Sequence, residues 1–257
     1  MVMVDLNSDL GESFGAWTMG IDSEVMSYIS SANVACAWHG GDAEVMLRTV
    51  RAAKAQNVAV GAHPGYPDLL GFGRRNMACT VDELYAYTLY QVGALQAICA
   101  SEGLELQHVK PHGAMYNQAA KDPKSATAIV KAVKNAGRGL IFMGLAGSAF
   151  EVAALEQGVP FASEAFADRG YMPDGSLVPR SQPGAFIHDP DQAAVRMVKL
   201  VKEGVIETPD GQILKLVAHS ICLHGDNPAA VKMAMAVRAA LEKNGIAVRN
   251  VREVLGK

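Results

Sequence analysis

Leu104-Glu105-Leu106-Gln107-His108-Val109-Lys110-Pro111-His112-Gly113, near the middle of the 257-residue chain, is the stretch on which the reading of the fold turns. Its first six residues alternate between apolar and polar, the period of a strand. Proline offers no amide to a ladder, so the predicted strand stops before Pro111. Lys110, His112 and Tyr116 then fall where the backbone leaves the sheet, and Gly113 lets the chain turn. Titratable groups at the C-terminal end of a buried strand are the pattern of an α/β catalytic site. The alternative is a loop whose polar side chains face water.

Recurrence favours the site. Strands are predicted over residues 2–6, 31–37, 58–62, 139–144, 161–166 and 220–223. Several run into charge or imidazole: Asp9 with Glu12, His39 with Asp42, His63 with Asp68, Glu164 with Asp168 and Arg169, and His224 with Asp226. Helices are predicted between them. Asp22 caps a short one over 22–29. Asp42 caps another to residue 57, with Val45, Met46, Thr49, Val50 and Ala53 on one face. Thr80 and Glu83 form a capping box for a helix that Gly103 ends near residue 102. Asp122-Pro123 and Pro190 open two more, a last one spans 229–243, and Thr208-Pro209-Asp210-Gly211 reads as a hairpin turn. Strand and helix alternate about seven times at TIM-barrel length, with no linker-like segment. The expectation is one α/β domain over residues 1–257, an irregular (β/α) TIM-like barrel of about seven parallel strands. An open doubly wound sheet is the second choice, and the absence of G-x-G-x-x-G after the first strand counts against a Rossmann domain.

A barrel sends every strand C-terminus to one mouth, so these groups would converge. His39, His63, His112 and His224 sit at strand ends beside Gly or Pro and are read as functional. Asp42 and Asp122 are read as helix caps, His108 and His219 as core histidines, and His188 as solvent-facing. Arg74 and Arg75, between Gly71 and Gly73 and the following loop, are either a solvated pair or a clamp for a carboxylate or phosphate. Asp9, His39 and His63 are a candidate metal triad, although their spacing is not diagnostic, and metal use is left open.

Composition narrows the classes. Half the residues are hydrophobic and only 6% aromatic, so Ala, Val, Leu, Ile and Met must fill the core. A net charge of −3 gives no sign of nucleic-acid or anionic-membrane binding. Cys36, Cys79, Cys99 and Cys222 form no C-x-x-C pair and read as reduced thiols. Asp5 comes too early for a signal peptide, no apolar run spans a bilayer, and a cytoplasmic protein is expected. There is no P-loop, no G-x-S-x-G elbow and no H-E-x-x-H.

Seven segments taken together resemble the LamB/YcsF family. They are Asp5-Leu6-Asn7-Ser8-Asp9-Leu10-Gly11-Glu12, Ala32-Asn33-Val34-Ala35-Cys36, Gly61-Ala62-His63-Pro64-Gly65-Tyr66-Pro67-Asp68, Gly71-Phe72-Gly73-Arg74-Arg75, Lys110-Pro111-His112-Gly113-Ala114-Met115-Tyr116-Asn117, Glu164-Ala165-Phe166-Ala167-Asp168-Arg169-Gly170-Tyr171 and Leu223-His224-Gly225-Asp226. The resemblance runs from Met3 to about Glu242. It implies a barrel related to the glycoside hydrolase and deacetylase barrels. It also implies the A subunit of an ATP-dependent 5-oxoprolinase, which opens 5-oxo-L-proline to L-glutamate beside partner subunits B and C. ATP would be used by those partners. On this reading Asp9, Glu12, His39, His63, Lys110 and His112 are catalytic; Arg74, Arg75, Tyr116, Glu164, Arg169, His224 and Asp226 bind substrate. The chain departs from the family at Ala37-Trp38-His39-Gly40-Gly41-Asp42, where Gly-Phe-His-Ala-Gly-Asp is more usual, so a changed pocket wall is expected. A stand-alone metal-dependent deacetylase or C–N hydrolase, a non-catalytic supporting subunit, and self-association stay open.

Overall fold

The computed structural model describes residues 2–223 and 228–257. Its parallel strands are β1 (Met3–Leu10), β2 (Ser31–Ala35), β3 (Ala59–His63), β4 (His108–Val109), β5 (Ile141–Leu145) and β6 (Phe161–Phe166). β7 (Val205–Glu207) and β8 (Ile213–Lys215) form the expected antiparallel hairpin, and β9 (Ser220–Cys222) returns to the main sheet. The order β1-β2-β3-β4-β5-β6-β9 closes because β9 pairs with both β6 and β1, placing Ser220 opposite Glu164 and Asp5. The result is a seven-stranded parallel barrel, the TIM-like fold expected from the alternation. A short strand β10 (Ala247–Val248) adds to the foot of β1 at Met3 and Val4.

The helices are α1 (Asp22–Val25), α2 (Ala43–Ala55), α3 (Val81–Ser101), α4 (Gly113–Ala119), α5 (Pro123–Ala136), α6 (Ala149–Gln157), α7 (Pro190–Glu203), α8 (Pro228–Lys243) and α9 (Val251–Val254). α2 buries Val45, Met46, Thr49, Val50 and Ala53, and Asp42 caps it by accepting from the Val45 amide at 2.9 Å. The Thr80–Glu83 capping box opens α3, and Asp122 caps α5. Val251 of α9 packs with Ile141, Met143 and Ala162 as a separate apolar cluster. Phe142, turned the other way, packs on Phe150 of α6.

Three expectations change. Asp22 is not a cap: it lies in the first turn of α1, and its carboxylate accepts from the Gly11 amide at 2.8 Å, fixing the loop after β1. The strand expected over 104–109 shrinks to His108 and Val109, and α4 begins immediately after His112. The first strand does not end at Leu6. Asn7, Ser8 and Asp9, which read as turn formers, continue β1. The polarity of Asn7 and Asp9 is satisfied inside the barrel, so the turn chemistry never operates. α4, α6, α9 and β10 lie outside the elements expected.

The barrel interior carries a column of polar layers beside the apolar Ile141, Met143 and Ala162, where branched aliphatic filling is usual in closed barrels. At the foot, Asp5 accepts from Ser30 and Ser31 at 2.7 Å each, and from Ser220. One layer up, Asn7 accepts from Asn33 at 2.7 Å, and Asn33 in turn accepts from His108 Nε2 at 2.7 Å. Gly61 makes room for that imidazole, since a Cβ there would overlap the ring. The expected core role of His108 is what the structure has, and burial pulls its pKa down to about 3. The top layer begins at Asp9.

Candidate active site

Strand direction puts Asp9, Glu12, His39, His63, Lys110 and His112 at one end of the barrel. Lys110 is buried, and its ammonium lies 2.7 Å from Glu164, 3.0 Å from Asp9, 3.1 Å from Asn7 and 3.2 Å from the Cys222 sulfur. Burial on its own would lower the lysine pKa, but Asp9, Cys222 and Glu164 outweigh it and hold the group well above its ordinary value. Asp9 is further fixed by Asn33 at 2.9 Å and faces His63 Nε2 at 3.3 Å. Tyr116 donates to Glu164 at 2.8 Å, which leaves its ring on the cavity wall.

Backbone carbonyls set the histidine tautomers. His63 Nδ1 lies 2.7 Å from the Lys110 carbonyl, and His112 Nε2 lies 2.8 Å from the Phe72 carbonyl. A carbonyl only accepts, so each of those nitrogens carries the proton. His39 stacks flat on His112 at 3.7 Å, and its Nε2 stands 3.3 Å from Glu12. Gly73, at φ +61°, lets the loop lie against both rings: a Cβ there would meet the two residues at 2.7 and 2.8 Å. Burial, reinforced by neighbouring imidazoles, keeps His39 and His112 well below the ordinary histidine pKa, and burial raises that of Glu12.

A cavity of about 150 Å³ opens above Lys110, lined by Asp9, His63, Arg74, His112, Tyr116 and Arg180 among others. A space of that volume holds a single small ring. Its rim is basic and its floor carries acid–base groups, a combination suited to a small anion that gains or loses protons.

Not every expected residue joins this site. Arg75 pairs with Asp68 through two of its nitrogens, which draws it down the loop and takes Asp68 out of play as well. Asp42 is engaged by the Val45 and Gly15 amides. Glu164 lies beneath the cavity, holding Lys110 and Tyr116. Arg169 does line the cavity, and it also donates to the carbonyls of Ala185 and Val178, bracing the loop that carries Arg180. Of the expected metal triad, His39 and His63 cluster with Glu12 and His112, and Asp9, held by Lys110 and Asn33, keeps its other oxygen 3.3 Å from His63 Nε2. His224 and Asp226 lie outside the described residues. Trp38 packs on Tyr87 and Tyr90 of α3, so the departure at 37–40 falls behind the site rather than on the cavity wall. Arg180 and the interior Asn7 and Asn33 are not singled out by the sequence. The alternation Asp5-x-Asn7-x-Asp9 is the signal for Asn7; Arg180 sits in a loop with none.

A closed parallel barrel with an acid–base cluster at its C-terminal mouth is the architecture of a barrel enzyme. The chain belongs to the LamB/YcsF family, which it matches over residues 4–256. It is 54% identical over 245 residues to the A subunit of 5-oxoprolinase from Pyrococcus furiosus, covering 95% of this chain and 96% of that one. With the corresponding 5-oxoprolinase chain of Bordetella parapertussis, also an A subunit, it shares 52% over 246 residues, covering 96% and 98%. The crystal structure of a lactam utilization protein from Thermus thermophilus superposes with a TM-score of 0.92 at 49% identity, covering 96% of this chain and 99% of that chain.

Proposed function

We propose that this chain is the ring-opening subunit of an ATP-dependent 5-oxoprolinase, converting 5-oxo-L-proline to L-glutamate. The observation that carries this reading is the nearly full-length likeness, at 54% identity, to a chain named as the A subunit of 5-oxoprolinase. The site chemistry supports it. An unactivated lactam is a poor electrophile, which is why ATP is needed. This chain has no P-loop, so nucleotide use is assigned to partner subunits B and C, and the complex to the cytoplasm where ATP is supplied.

Net ring opening adds water across the C5–N bond: the water oxygen stays on C5, and the nitrogen leaves as the amine. Asp9, on the cavity floor and fixed by Lys110 and Asn33, positions the water and takes its proton. The Lys110 ammonium steadies the oxyanion that develops at C5. Asp9 then returns that proton to the departing nitrogen, while His63 and His112 stand beside it with their N–H groups held by backbone carbonyls and His39 and Glu12 lie behind them. Arg74 and Arg180 on the rim hold the substrate carboxylate. Tyr116 shapes the wall. Glu164 positions Lys110 from beneath the cavity, and Arg169, on the cavity wall, braces the rim loop beside the substrate.

The test is 5-oxoproline-dependent glutamate release by this chain with its partner subunits and ATP. Wild type should be active only in the mixture, and Asp9→Asn should lose at least about 100-fold while still assembling. Full activity of Asp9→Asn would remove the assigned base. The buried Glu12–His39–His63–His112 cluster favours a second reading, a metal-dependent C–N hydrolase acting alone. Release of amine from 5-oxoproline or an acetamido sugar by this chain without ATP or partners would select it.

A further inference from the structure

We infer that Glu12, His39, His63 and His112 form a binding site for one divalent transition-metal ion of the zinc class. The separations of their donor atoms fit. His63 Nε2 lies 3.0 Å from His112 Nδ1, and Glu12 Oε1 lies 3.3 Å from His39 Nε2 and 3.7 Å from His112 Nδ1. All four donors fall within 4.8 Å of one another. Ligand bonds of about 2.0–2.1 Å around a tetrahedral zinc ion give an edge of about 3.3 Å between donors. The three short separations bracket that edge, and the His39 ring, stacked flat on His112 at 3.7 Å, turns on binding to aim Nε2 at the same point.

The proton inventory makes the case independently. His63 and His112 each use their one N–H on a backbone carbonyl, so the nitrogens that face each other at 3.0 Å are both lone pairs. Two lone pairs at that distance repel unless something positive lies between them. A single proton settles one such contact, but His39 Nε2 and Glu12 Oε1 converge on the same spot, both buried and without a hydrogen bond. One proton cannot bridge four donors; a cation can. Carbonyl anchoring of the outer nitrogen is also how metal-binding imidazoles are oriented.

Charge points the same way. Asp9 and Glu164 share one buried ammonium, Lys110, while the largely buried Glu12 faces the imidazoles of His39 and His112. A divalent ion in the cluster offsets that surplus. Three imidazoles with a single carboxylate select zinc-class ions over calcium or magnesium, which prefer oxygen donors. A bound ion would supply Lewis-acid polarisation of a carbonyl at the cavity wall. The inference rests on ligand geometry and holds whether or not 5-oxoproline is the substrate.

The test reads binding rather than turnover. The full chain, stripped with chelator and dialysed, is titrated with Co²⁺ and then Zn²⁺. The expected result is one equivalent of Co²⁺ with the intense visible absorption of a four-coordinate site, displaced by one equivalent of Zn²⁺. His39→Ala and His112→Gln should each weaken Zn²⁺ binding by at least about 100-fold, beyond the loss seen for outer-shell changes. If His39→Ala does not fold, His112→Gln and Glu12→Gln carry the comparison. No stoichiometric binding at micromolar Zn²⁺ would overturn the site. So would one equivalent bound equally well by the folded variants.

Discussion

The two ends of β1 present the same residue type to the same barrel interior and treat it in opposite ways. At the foot, Asp5 is fully buried, and three serine hydroxyls close around it. At the top, Asp9 meets an ammonium, an amide and an imidazole on the floor of a cavity, and Glu12 just beyond has a buried oxygen with no hydrogen bond at all. Between them the Asn7–Asn33–His108 layer links one to the other. Satisfied polar groups fix the barrel's register and have nothing left to offer a ligand. Incompletely satisfied ones lower stability and supply chemistry. The contrast teaches where the fold stops and the site begins, roughly between Asn7 and Asp9.

The largest expected effect strikes the upper end. Lys110→Ala leaves Asp9 and Glu164 without their buried cation, and breaking a buried ion pair typically costs about 3–5 kcal/mol. Urea unfolding should show that loss, and glutamate release should vanish. A change of less than about 1 kcal/mol would mean that water, not Lys110, screens these carboxylates.

The foot should answer to pH instead. Burial raises the Asp5 pKa from 3.8 to about 6, despite hydrogen bonds from Ser220, Ser31 and Ser30 that pull it down. The folded protein therefore holds this proton more tightly than the unfolded chain does. The resulting stabilisation is full below about pH 4 and is lost as pH rises through about 6, a difference of about 3 kcal/mol. Asp5→Asn has no such charge to bury. Its unfolding free energy, minus that of wild type, should climb by about that amount between pH 4 and pH 7. A flat difference would mean that Asp5 stays ionised comfortably among its serines.

The smallest effect lies just behind the site. Ala37 sits at φ +69°, a left-handed backbone that glycine adopts freely and alanine does not. Ala37→Gly relieves that strain but loosens the unfolded chain, so a net gain of up to about 1 kcal/mol is expected. Thermal unfolding measures it. A loss instead would show that the alanine methyl is packed rather than strained.

Much of this is legible in the sequence. Strand–helix alternation points to the barrel, and the caps at Asp42, Thr80 and Asp122 fall where local hydrogen bonding dictates. Convergence of Asp9, His39, His63, Lys110 and His112 follows from strand direction alone. The misses share one physical cause: local propensity weighs a polar residue by its neighbours in the chain, while its partners come from distant strands. Asn7-Ser8-Asp9 looks like a turn until Asn33, Lys110 and Ser220 supply hydrogen bonds to Asn7 and Asp9 from elsewhere in the barrel. Arg75 looks like a substrate clamp until Asp68 claims it. Arg180 has no pattern to betray it, because a loop's path carries no period.

The most direct measurement compares wild type with Glu12→Gln, reading ATP-dependent release of glutamate from 5-oxoproline in the assembled enzyme and unfolding free energy side by side. Glu12 belongs to the end of the barrel that gives up stability for chemistry. The expected result is a loss of activity of at least about 100-fold with stability unchanged or raised. Full activity in the variant, or a loss of activity explained by a destabilised barrel, would contradict the assignment of the upper end as the reacting site.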